Sequence, residues 1–419
     1  MATLLPITIS NFLGINNKGR ETSLPPGALR KCENLDVTDD GILLTRRGIE
    51  SIYPGNWRDL YAHSEGYFMC AVADDMLGVL KDGSFTTISA AIGPVVYAEL
   101  NGAIFWSDGI LQGMITKEGN SSPWGLPTPP QLIAAPVVDI GGLRAGDYQV
   151  TATAVLNGNG LESGAPQPTS VTVQAGGGVQ VTVPNSGSEV SFNVYLTPEN
   201  GSSHELRCAL KLEGGATAIL GEAHGKKLES LLAVKPFPAS HLCSWRGRIW
   251  ATTGSILWHT DSASPHWLFP GTGFIQADAE IVNLQASDDV LFFSTDHSSW
   301  VLQGAPPDDL TLRMVRSGGA VRGMTGGRLV LRTQTDPGRA CAVWVDKDGR
   351  ICAGKSGGEV MLISGASVAL SPGKISYLSM NFNESTEQII IVTDPDSLPK
   401  QAIDPSISEI ITNGVTLSA

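Results

Sequence analysis

Short runs of large apolar residues alternate with polar tips along most of the chain. Examples are NGAIFWSD at 101–108, GRIWATTGSILWHTD at 247–261, DVLFFSTDHSSWVLQG at 289–304 and CAVWVDKDGRIC at 341–352. Each run ends at a Gly or Asp turn and is followed by a second run, which is typical of antiparallel strands joined by hairpins. Apolar residues at helical spacing are almost absent. The pattern therefore predicts an all-β protein built from strand meanders.

These groups of strands recur about every 35–50 residues, which is the period of a β-propeller, whose blades are four-stranded meanders. The recurrence predicts a propeller of about five to seven blades. The predicted blade segments are Trp57–Ile88, Val95–Leu126, Phe237–Phe269, Phe274–Thr311, Met314–Ser364 and Ile375–Thr393.

The segment from about Pro127 to Val234 has a different pattern. It opens with the proline-rich TPPQLIAAP at 128–136, which predicts a stiff extended linker because proline fixes φ. Alternating apolar and polar strands then occupy about 100 residues, the size of an immunoglobulin-like sandwich. Tyr148 and Tyr195 are the large candidate core residues. We therefore expect a sandwich domain, of immunoglobulin or fibronectin type III character, inserted between two blades.

The first 57 residues form a third kind of segment. Leu24-Pro25-Pro26-Gly27 predicts a proline-set start for a short helical turn over Ala28–Asn34, and DDGILLTRRG at 39–48 predicts a hairpin. The predicted domains are an N-terminal arm and hairpin at 1–57, first propeller blades at 58–129, an inserted sandwich at 130–234, and the remaining blades with a C-terminal segment at 235–419.

Charge and composition exclude several classes of protein. Of 419 residues, 28 are basic and 41 are acidic, which gives a net charge of −13 and excludes a basic nucleic-acid-binding surface as the main function. The start MATLLPITIS lacks the basic and long apolar segments of a secretory signal, and no apolar run is long enough to span a membrane. The six cysteines form no C-x-x-C pair, so we expect reduced thiols.

Acidic residues are the best candidates for catalysis, because some propellers cleave glycosides with two converging carboxyl groups about 5–10 Å apart. Asp108, Asp261 and Asp296 each follow an apolar strand, and this placement allows either a shared rim or three separate turns. The remaining candidates are adjacent pairs, for which we favour solvated turns: Asp39-Asp40, Asp74-Asp75, Asp288-Asp289 and Asp308-Asp309.

Other motifs favour structural interpretations. The DKDG sequence from Asp346 is interpreted as a hairpin turn, because Gly357 stands where a calcium loop needs its glutamate. His259, His266 and His297 neighbour tryptophans and lack metal-ligand spacing, and the nine tryptophans favour packing between blades over carbohydrate stacking. We therefore assign no catalytic, cofactor-binding or metal-binding residue and predict that the protein is not an enzyme.

Four N-terminal segments carry a resemblance to a known family. In order they are Phe12–Asn16 (F-x-G-I-N), Leu24–Leu29 (L-P-P-G-A-L), Glu33–Val37 (E-N-L-D-V) and Asp40–Gly48 (D-G-I-L-x-x-R-x-G). Together they resemble the start of tailed-bacteriophage virion proteins, above all the tail nozzle or tail hub proteins of short-tailed phages. The segments at 148–155, 160–163 and 192–197 resemble the fibronectin-type modules of such proteins, and those at 245–251 and 258–261 resemble their blade strands.

This resemblance implies a β-propeller with inserted sandwich-like domains that forms a ring, usually six-fold, at the distal end of a phage tail. The implied function is structural: the ring continues the DNA ejection channel and docks other tail parts. The implied partners are further copies of the chain, a tail tube or adaptor protein, tail fibres or spikes, and a plug or needle protein, with genome DNA passing through unbound. The implied location is the virion tail, after synthesis in the host cytoplasm, and no cofactor is implied.

Two alternatives stay open at this point. One is a propeller that binds or cleaves glycans, for which converging acids or exposed tryptophans would be the sign. The other is a different virion position, such as a neck connector or a distal-tail protein, which keeps the resemblance and changes the partners.

Overall fold

The computed structural model describes residues 12–32, 35–37, 40–45, 55–305, 309–322, 328–333, 336–364, 368–370, 375–383, 386–393 and 415–418. Within these residues the helical elements are single turns of 3₁₀ helix at Glu21–Ser23, Ser203–Glu205 and Ser356–Gly358. All other regular elements are strands, so the all-β prediction is confirmed. None of the helices described could cross a membrane.

Six sheets follow one another along the chain as antiparallel meanders, in which strands adjacent in sequence are also adjacent in the sheet. Sheet 1 contains β3 (Trp57–Ala62), β4 (Met69–Ala73), β5 (Met76–Lys81) and β6 (Ser84–Ala90), and sheet 2 contains β7 (Val96–Leu100), β8 (Ala103–Ser107), β9 (Gln112–Ile115) and β10 (Ser121–Ser122). Sheet 3 contains β18 (His241–Trp245), β19 (Arg248–Thr253), β20 (Ile256–His259) and β21 (Phe274–Gln276). Sheet 4 contains β22 (Ile281–Ala286), β23 (Leu291–Thr295), β24 (Ser298–Ala305) and β25 (Asp309–Ser317).

The last two sheets complete the series. Sheet 5 contains β26 (Arg328–Thr333), β27 (Asp336–Val345), β28 (Ile351–Gly354) and β29 (Val360–Leu362). Sheet 6 contains three described strands, β30 (Ile375–Asn383), β31 (Thr386–Thr393) and β32 (Val415–Ser418). Six sheets among the described residues agree with the predicted range of blades.

The sheets pack face to face through shared apolar clusters. Between sheets 2 and 3 the rings of Trp124 and Trp258 lie 6.1 Å apart, and between sheets 4 and 5 the rings of Phe292 and Trp344 lie 5.6 Å apart. The first strands of sheets 2, 3 and 4 lie side by side, since β7 contacts β18 and β18 contacts β22. Consecutive four-stranded meanders that pack in this way are blades of a β-propeller. These tryptophans therefore pack between blades, as predicted.

Two predicted blade boundaries are wrong. Met314 does not begin sheet 5, because it lies within β25, the fourth strand of sheet 4. Phe274–Gln276 is not the start of sheet 4 but the fourth strand of sheet 3, where Phe274 lies opposite Trp258 and Gln276 lies opposite Ile256. A three-residue strand carries too short an alternation to show in the sequence which sheet it joins.

The inserted segment contains seven strands in two sheets. They are β11 (Ile133–Val137), β12 (Gly146–Leu156), β13 (Thr169–Val173), β14 (Gly178–Thr182), β15 (Val190–Leu196), β16 (Arg207–Glu213) and β17 (Thr217–Leu220). One sheet has the order β11-β14-β17 and the other has the order β13-β12-β15-β16. Both contribute to a single apolar core of Leu, Val, Phe and Tyr side chains, so they form a sandwich. Its immunoglobulin or fibronectin character stays a prediction.

The two tyrosines predicted for this core lie on different faces. Tyr148 lies in the core between the two sheets. Tyr195 is equally buried, but it packs outside the four-stranded sheet against Leu206 and Leu228. The prediction for Tyr195 is therefore wrong, because its neighbours Val194 and Leu196 fill the inward positions and successive side chains of a strand alternate between faces.

The ends of the insert meet beside the propeller. The Thr128 hydroxyl donates to the carbonyl of Ala233 at 3.1 Å. Gly164 packs so closely on the same residue that a Cβ atom at position 164 would lie 1.7 Å from the Ala233 oxygen, so only glycine fits there. Chain entry and exit that lie side by side explain how a sandwich can be inserted between two blades.

The N-terminal arm differs from its prediction in one element. The expected helical turn over Ala28–Asn34 is not found in its described part, because Leu29 pairs with Ile15 in a parallel bridge and the helical turn lies at Glu21–Ser23 instead. Residues Glu33 and Asn34 lie outside the described residues. The hairpin is formed by β1 (Leu35–Val37) and β2 (Leu43–Thr45), which pair in antiparallel fashion.

Candidate functional site

The carboxylate of Asp108 closes a turn and accepts several backbone hydrogen bonds. It accepts the N–H groups of Leu111 at 2.6 Å, Ile110 at 2.9 Å and Ile92 at 3.0 Å. Burial alone would raise the pKa of Asp108, but these N–H groups and that of Gly93 outweigh burial and lower it below the usual value. A catalytic acid needs the opposite shift. Asp108 therefore has the surroundings of a structural turn residue.

Asp261 and Asp296 also have local partners. Asp261 accepts the N–H groups of Ala263 at 2.8 Å and Ser264 at 3.3 Å. Asp296 is half-exposed and pairs with His297 at 3.2 Å and Lys347 at 3.3 Å. Both carboxylates are held by neighbours in the way expected of turn and surface residues.

The three acids do not share one rim of the propeller. Asp108 follows β8 and Asp296 follows β23, which are second strands of their sheets, whereas Asp261 follows β20, a third strand. Second and third strands run in opposite directions, so their C-terminal ends lie at opposite edges of the propeller. The shared-rim alternative is therefore wrong for Asp261.

The other candidate residues are spread through turns and cores. Asp74 and Asp75 adopt positive φ in the turn after β4, and Asp289 accepts the N–H of Gly357 at 3.0 Å, while Asp39 and Asp308 lie outside the described residues. Burial lowers the pKa of His259 and lowers that of His266 to about 4. Within the described ranges, no group of three or more His, Cys, Asp and Glu side chains is arranged to hold a metal ion.

The outer face of the four-stranded sheet is covered by a polar network centred on Glu162. Its carboxylate accepts hydrogen bonds from Thr153 at 2.5 Å, Tyr195 at 2.6 Å and Asn193 at 3.1 Å, and it pairs with Lys226 at 2.6 Å. Burial raises the pKa of Glu162, but Lys226 and the side-chain donors outweigh burial and lower it. The carboxylate is therefore ionised, and each of its two oxygens has a hydrogen-bond or ion-pair partner.

This network also joins the sandwich to the propeller. The indole N–H of Trp267, between β20 and β21 of sheet 3, donates to the backbone carbonyl of Glu162 at 2.8 Å. Asn159 donates to the hydroxyl of Ser122 in sheet 2 at 3.2 Å. Two blades thus hold the insert through the segment that follows β12.

The outer face of the three-stranded sheet has the opposite character. Ile133 is 78% exposed, Ile140 is 57% exposed and Ile219 is 39% exposed. In register, Ala135 lies beside Gln180 and Gln180 beside Ile219, while Ile133 lies beside Thr182 and Thr182 beside Thr217. We call these outward residues, together with Val137, Val138 and Ile140, the apolar outer face. Six of these nine residues are apolar and the other three, Gln180, Thr182 and Thr217, are uncharged, whereas an outward sheet face is usually polar; Asp139 is exposed at the edge of this face.

Comparisons with known proteins place no family name on the chain. No protein-family model matches the sequence, and no curated protein matches it. Among solved structures, the chain is similar to BBS1N in its complex with ARL6DN, at 10% identity and a TM-score of 0.32, over 83% of this chain and 94% of that chain.

Two further solved structures show the same weak similarity. Apo AztD from Citrobacter koseri is 10% identical with a TM-score of 0.32, over 87% of this chain and 91% of that chain. Dipeptidyl peptidase 4 from Porphyromonas gingivalis is 6% identical with a TM-score of 0.26, over 87% of this chain and 48% of that chain. Identities and TM-scores this low support no inference about function, so the fold assignment rests on the sheets described above.

Proposed function

We propose that this chain is a structural protein of a phage tail, which oligomerises into a ring at the distal end and continues the ejection channel. The observation that carries the proposal is the ordered N-terminal pattern from Phe12 to Gly48 ahead of a propeller with an inserted sandwich. Its segments lie together: Phe12 donates its N–H to the carbonyl of Gly41 at 2.9 Å, and Ile15 bridges Leu29. The described parts of the pattern therefore belong to one structural unit.

The N-terminal arm is hydrogen-bonded to the C-terminal part of the propeller sequence. The side-chain amide of Asn17 donates to the carbonyl of Ala369 at 2.8 Å and accepts the N–H of the same residue at 3.0 Å. Ala369 lies between sheets 5 and 6 in the sequence. An arm held in this way is positioned on the propeller surface, where a neighbouring subunit of a ring can contact it.

The apolar outer face supports contact between copies of the chain. A protein with a charge of −13 repels another copy wherever ionised surfaces approach, and the three strands of this face carry no ionised side chain, although Asp139 is exposed beside them. Three strands of about five residues cover roughly 250 Å², from strand spacings of about 4.8 Å and rises of about 3.3 Å. A stable interface needs about 800 Å² per partner, so this contact is weak on its own and needs the repeated contacts of a ring.

The test is the composition of the virion produced by the genome that encodes this chain. Quantitative mass spectrometry of purified particles is expected to find several copies per tail, with six or twelve as the ring counts. Cryo-electron microscopy of the same particles is expected to place them at the distal tail. Absence from the particle overturns the proposal, and density at the neck or head assigns the chain to a different virion position.

The contact between copies has a test of its own. Ile133→Glu places a charge on the apolar outer face, and Ile92→Glu adds the same charge at an exposed position on the propeller. We expect Ile133→Glu to reduce incorporation of the chain into tails, and Ile92→Glu to leave incorporation unchanged. Equal incorporation of the two variants excludes the apolar outer face as the contact while leaving the tail assignment standing.

A further inference from the structure

One end of the sandwich carries an open cleft of about 820 Å³. It is lined by side chains from the start of β12, the segment between β15 and β16, and the segment after β17. The charged and imidazole groups that matter most are Arg144, His204, Arg207, Glu222, His224 and Lys227. A volume of this size suits a small ligand, since ligand clefts span about 300–1,000 Å³.

Two cationic residues lie side by side on one wall of the cleft. Arg207 and Lys227 are partners in an antiparallel bridge. The flanking hydrogen bonds run from Cys208 N–H to the Lys226 carbonyl and from Leu228 N–H to the Leu206 carbonyl, both at 2.9 Å. This makes Arg207 and Lys227 a non-hydrogen-bonded pair, in which side chains lie closest, with Cα atoms about 4.5 Å apart. Like charges in that position destabilise a sheet.

The three carboxylates that line the cleft, Glu199, Glu205 and Glu222, lie nearer to partners other than Arg207 and Lys227. Glu205 accepts the N–H of Ser202 at 2.8 Å and its hydroxyl at 3.0 Å. Among the acids on the other walls, Glu199 lies 3.9 Å from Arg144, and Glu222 lies 3.5 Å from His224. The pKa of Glu205 is lowered first by the Ser202 N–H, and the more distant Lys227 adds to this effect.

Neither cation of the pair has an acidic contact. Among the described residues, no carboxylate lies within ion-pair distance of Arg207 or Lys227, and Arg207 uses one N–H on the carbonyl of Gly225 at 3.3 Å. The neighbouring Lys226 differs from this pair, because its side chain points away from the cleft and forms an ion pair with Glu162 at 2.6 Å. The cleft therefore holds two adjacent positive charges with donors to spare, in a protein whose net charge is −13.

We infer that this cleft binds a small hydrophilic anion, a sugar that carries a carboxylate or a phosphate, with its oxyanion between Arg207 and Lys227. Both cations donate charge-assisted hydrogen bonds to such an oxyanion, which removes their mutual repulsion. Imidazole and carboxylate groups from His204, His224 and Glu222 are hydrogen-bonding partners for sugar hydroxyls. The inference goes beyond the proposed tail function and does not depend on ring formation.

The first test is calorimetric titration of the full chain at low salt with glucuronate, glucose 6-phosphate, glucose and inorganic phosphate. We expect one or both anionic sugars to bind, glucose not to bind, and raised salt to weaken binding. The two anionic sugars distinguish carboxylate from phosphate. Inorganic phosphate that binds as tightly as glucose 6-phosphate contradicts the sugar assignment, and no binding by any anion overturns the whole inference.

The second test reverses one charge of the Arg207–Lys227 pair and so removes the repulsion between them. Lys227→Glu turns the like-charge pair into an opposite-charge pair, so we expect a higher melting temperature for the free protein together with at least a tenfold loss of anion affinity. Lys211→Glu makes the same charge change on β16, where Lys211 contacts Asn157 at 3.1 Å instead of the cleft, and it should keep the affinity. A Lys227→Glu protein that binds normally overturns the inference. Arg207→Gln, which removes charge without reversing it, is also expected to lose at least tenfold.

Discussion

The propeller and the inserted sandwich bury their apolar side chains in different places. Sheets 2 to 5 of the propeller carry buried clusters on both faces, because each packs against a neighbour on either side. The sandwich has one core between its two sheets, and each sheet keeps an outer face. Polar contacts hold one outer face on the propeller, and the other outer face is apolar and exposed.

This difference leaves more free sheet surface on the sandwich than on the propeller. The inner strands of a propeller sheet offer few free side chains, since both of their faces are used in packing, and the sheet exposes its turns and fourth strands such as β6 and β25. The sandwich presents a whole sheet face and an end cleft. The two surfaces proposed above, for a second copy of the chain and for an anion, both lie on the insert.

The largest change that tests this division is removal of the insert. Replacing residues 130–234 by a short Gly/Ser linker is expected to leave a folded, all-β propeller, because the hydrogen bond from Thr128 to Ala233 brings the two ends together. Circular dichroism and thermal unfolding of the deleted protein check this. Insolubility of several linker lengths contradicts the separation of the two regions.

A mutation that creates a cavity in the propeller core should destabilise the propeller and leave the stability of the sandwich unchanged. Trp344 is fully buried between sheets 4 and 5, and truncating a buried tryptophan costs about 3–5 kcal/mol. Trp344→Ala is therefore expected to lower the melting transition of the propeller and leave the transition of the sandwich in place. Calorimetry resolves the two transitions.

Val181→Ala is the matched variant, because Val181 is fully buried in the core of the sandwich. It should lower the sandwich transition alone. A single transition that shifts with both variants shows that the two regions unfold as one unit.

The polar network on the outer face of the four-stranded sheet depends on the charge of Glu162, whose carboxylate partners all lie within the insert. Glu162→Gln leaves Lys226 without its carboxylate and weakens hydrogen bonds to a charged acceptor, so we expect a loss of about 1–3 kcal/mol in the free energy of unfolding. Urea unfolding followed by tryptophan fluorescence measures the loss.

The same residue sets a pH dependence with a defined sign. The folded pKa of Glu162 lies below the ordinary value of 4.5, so its contribution to stability is fully present above pH 4.5. That contribution is lost as the pH falls from 4.5 through the folded pKa. Glu162→Gln should remove this part of the acid sensitivity. A variant with the wild-type pH profile contradicts the role of the carboxylate.

Much of this fold could be predicted from alternation and spacing, and the exceptions follow from strand geometry. Size alone predicts Tyr195 for the sandwich core, yet the alternation in FNVYL places Phe192, Val194 and Leu196 on the inner face. The alternative that Asp108, Asp261 and Asp296 share one rim is wrong, because the edge at which a strand ends depends on whether it is the second or third strand of its sheet.

The two candidate binding surfaces could not be predicted, for different reasons. An outward isoleucine such as Ile133 or Ile219 has the same sequence signal as a buried one, since apolar identity does not show which face of a sheet is covered. Lys226 and Lys227 form an ordinary basic pair in the sequence. Only the pairing of Lys227 with Arg207, residues twenty positions apart, shows that two positive charges share one cleft.

The smallest expected effect on stability lies on the apolar outer face. Ile133 is 78% exposed, so Ile133→Ser removes little buried surface and should change the free energy of unfolding by no more than about 0.5 kcal/mol. Ala134, its neighbour on β11, packs against the sandwich core, and Ala134→Ser places a hydroxyl there, which should cost more. Urea unfolding of the two variants compares the faces of one strand directly. A loss of 2 kcal/mol or more for Ile133→Ser, about the cost of truncating a buried isoleucine, shows that this face is already covered within the chain, and it then has no free surface for a second copy.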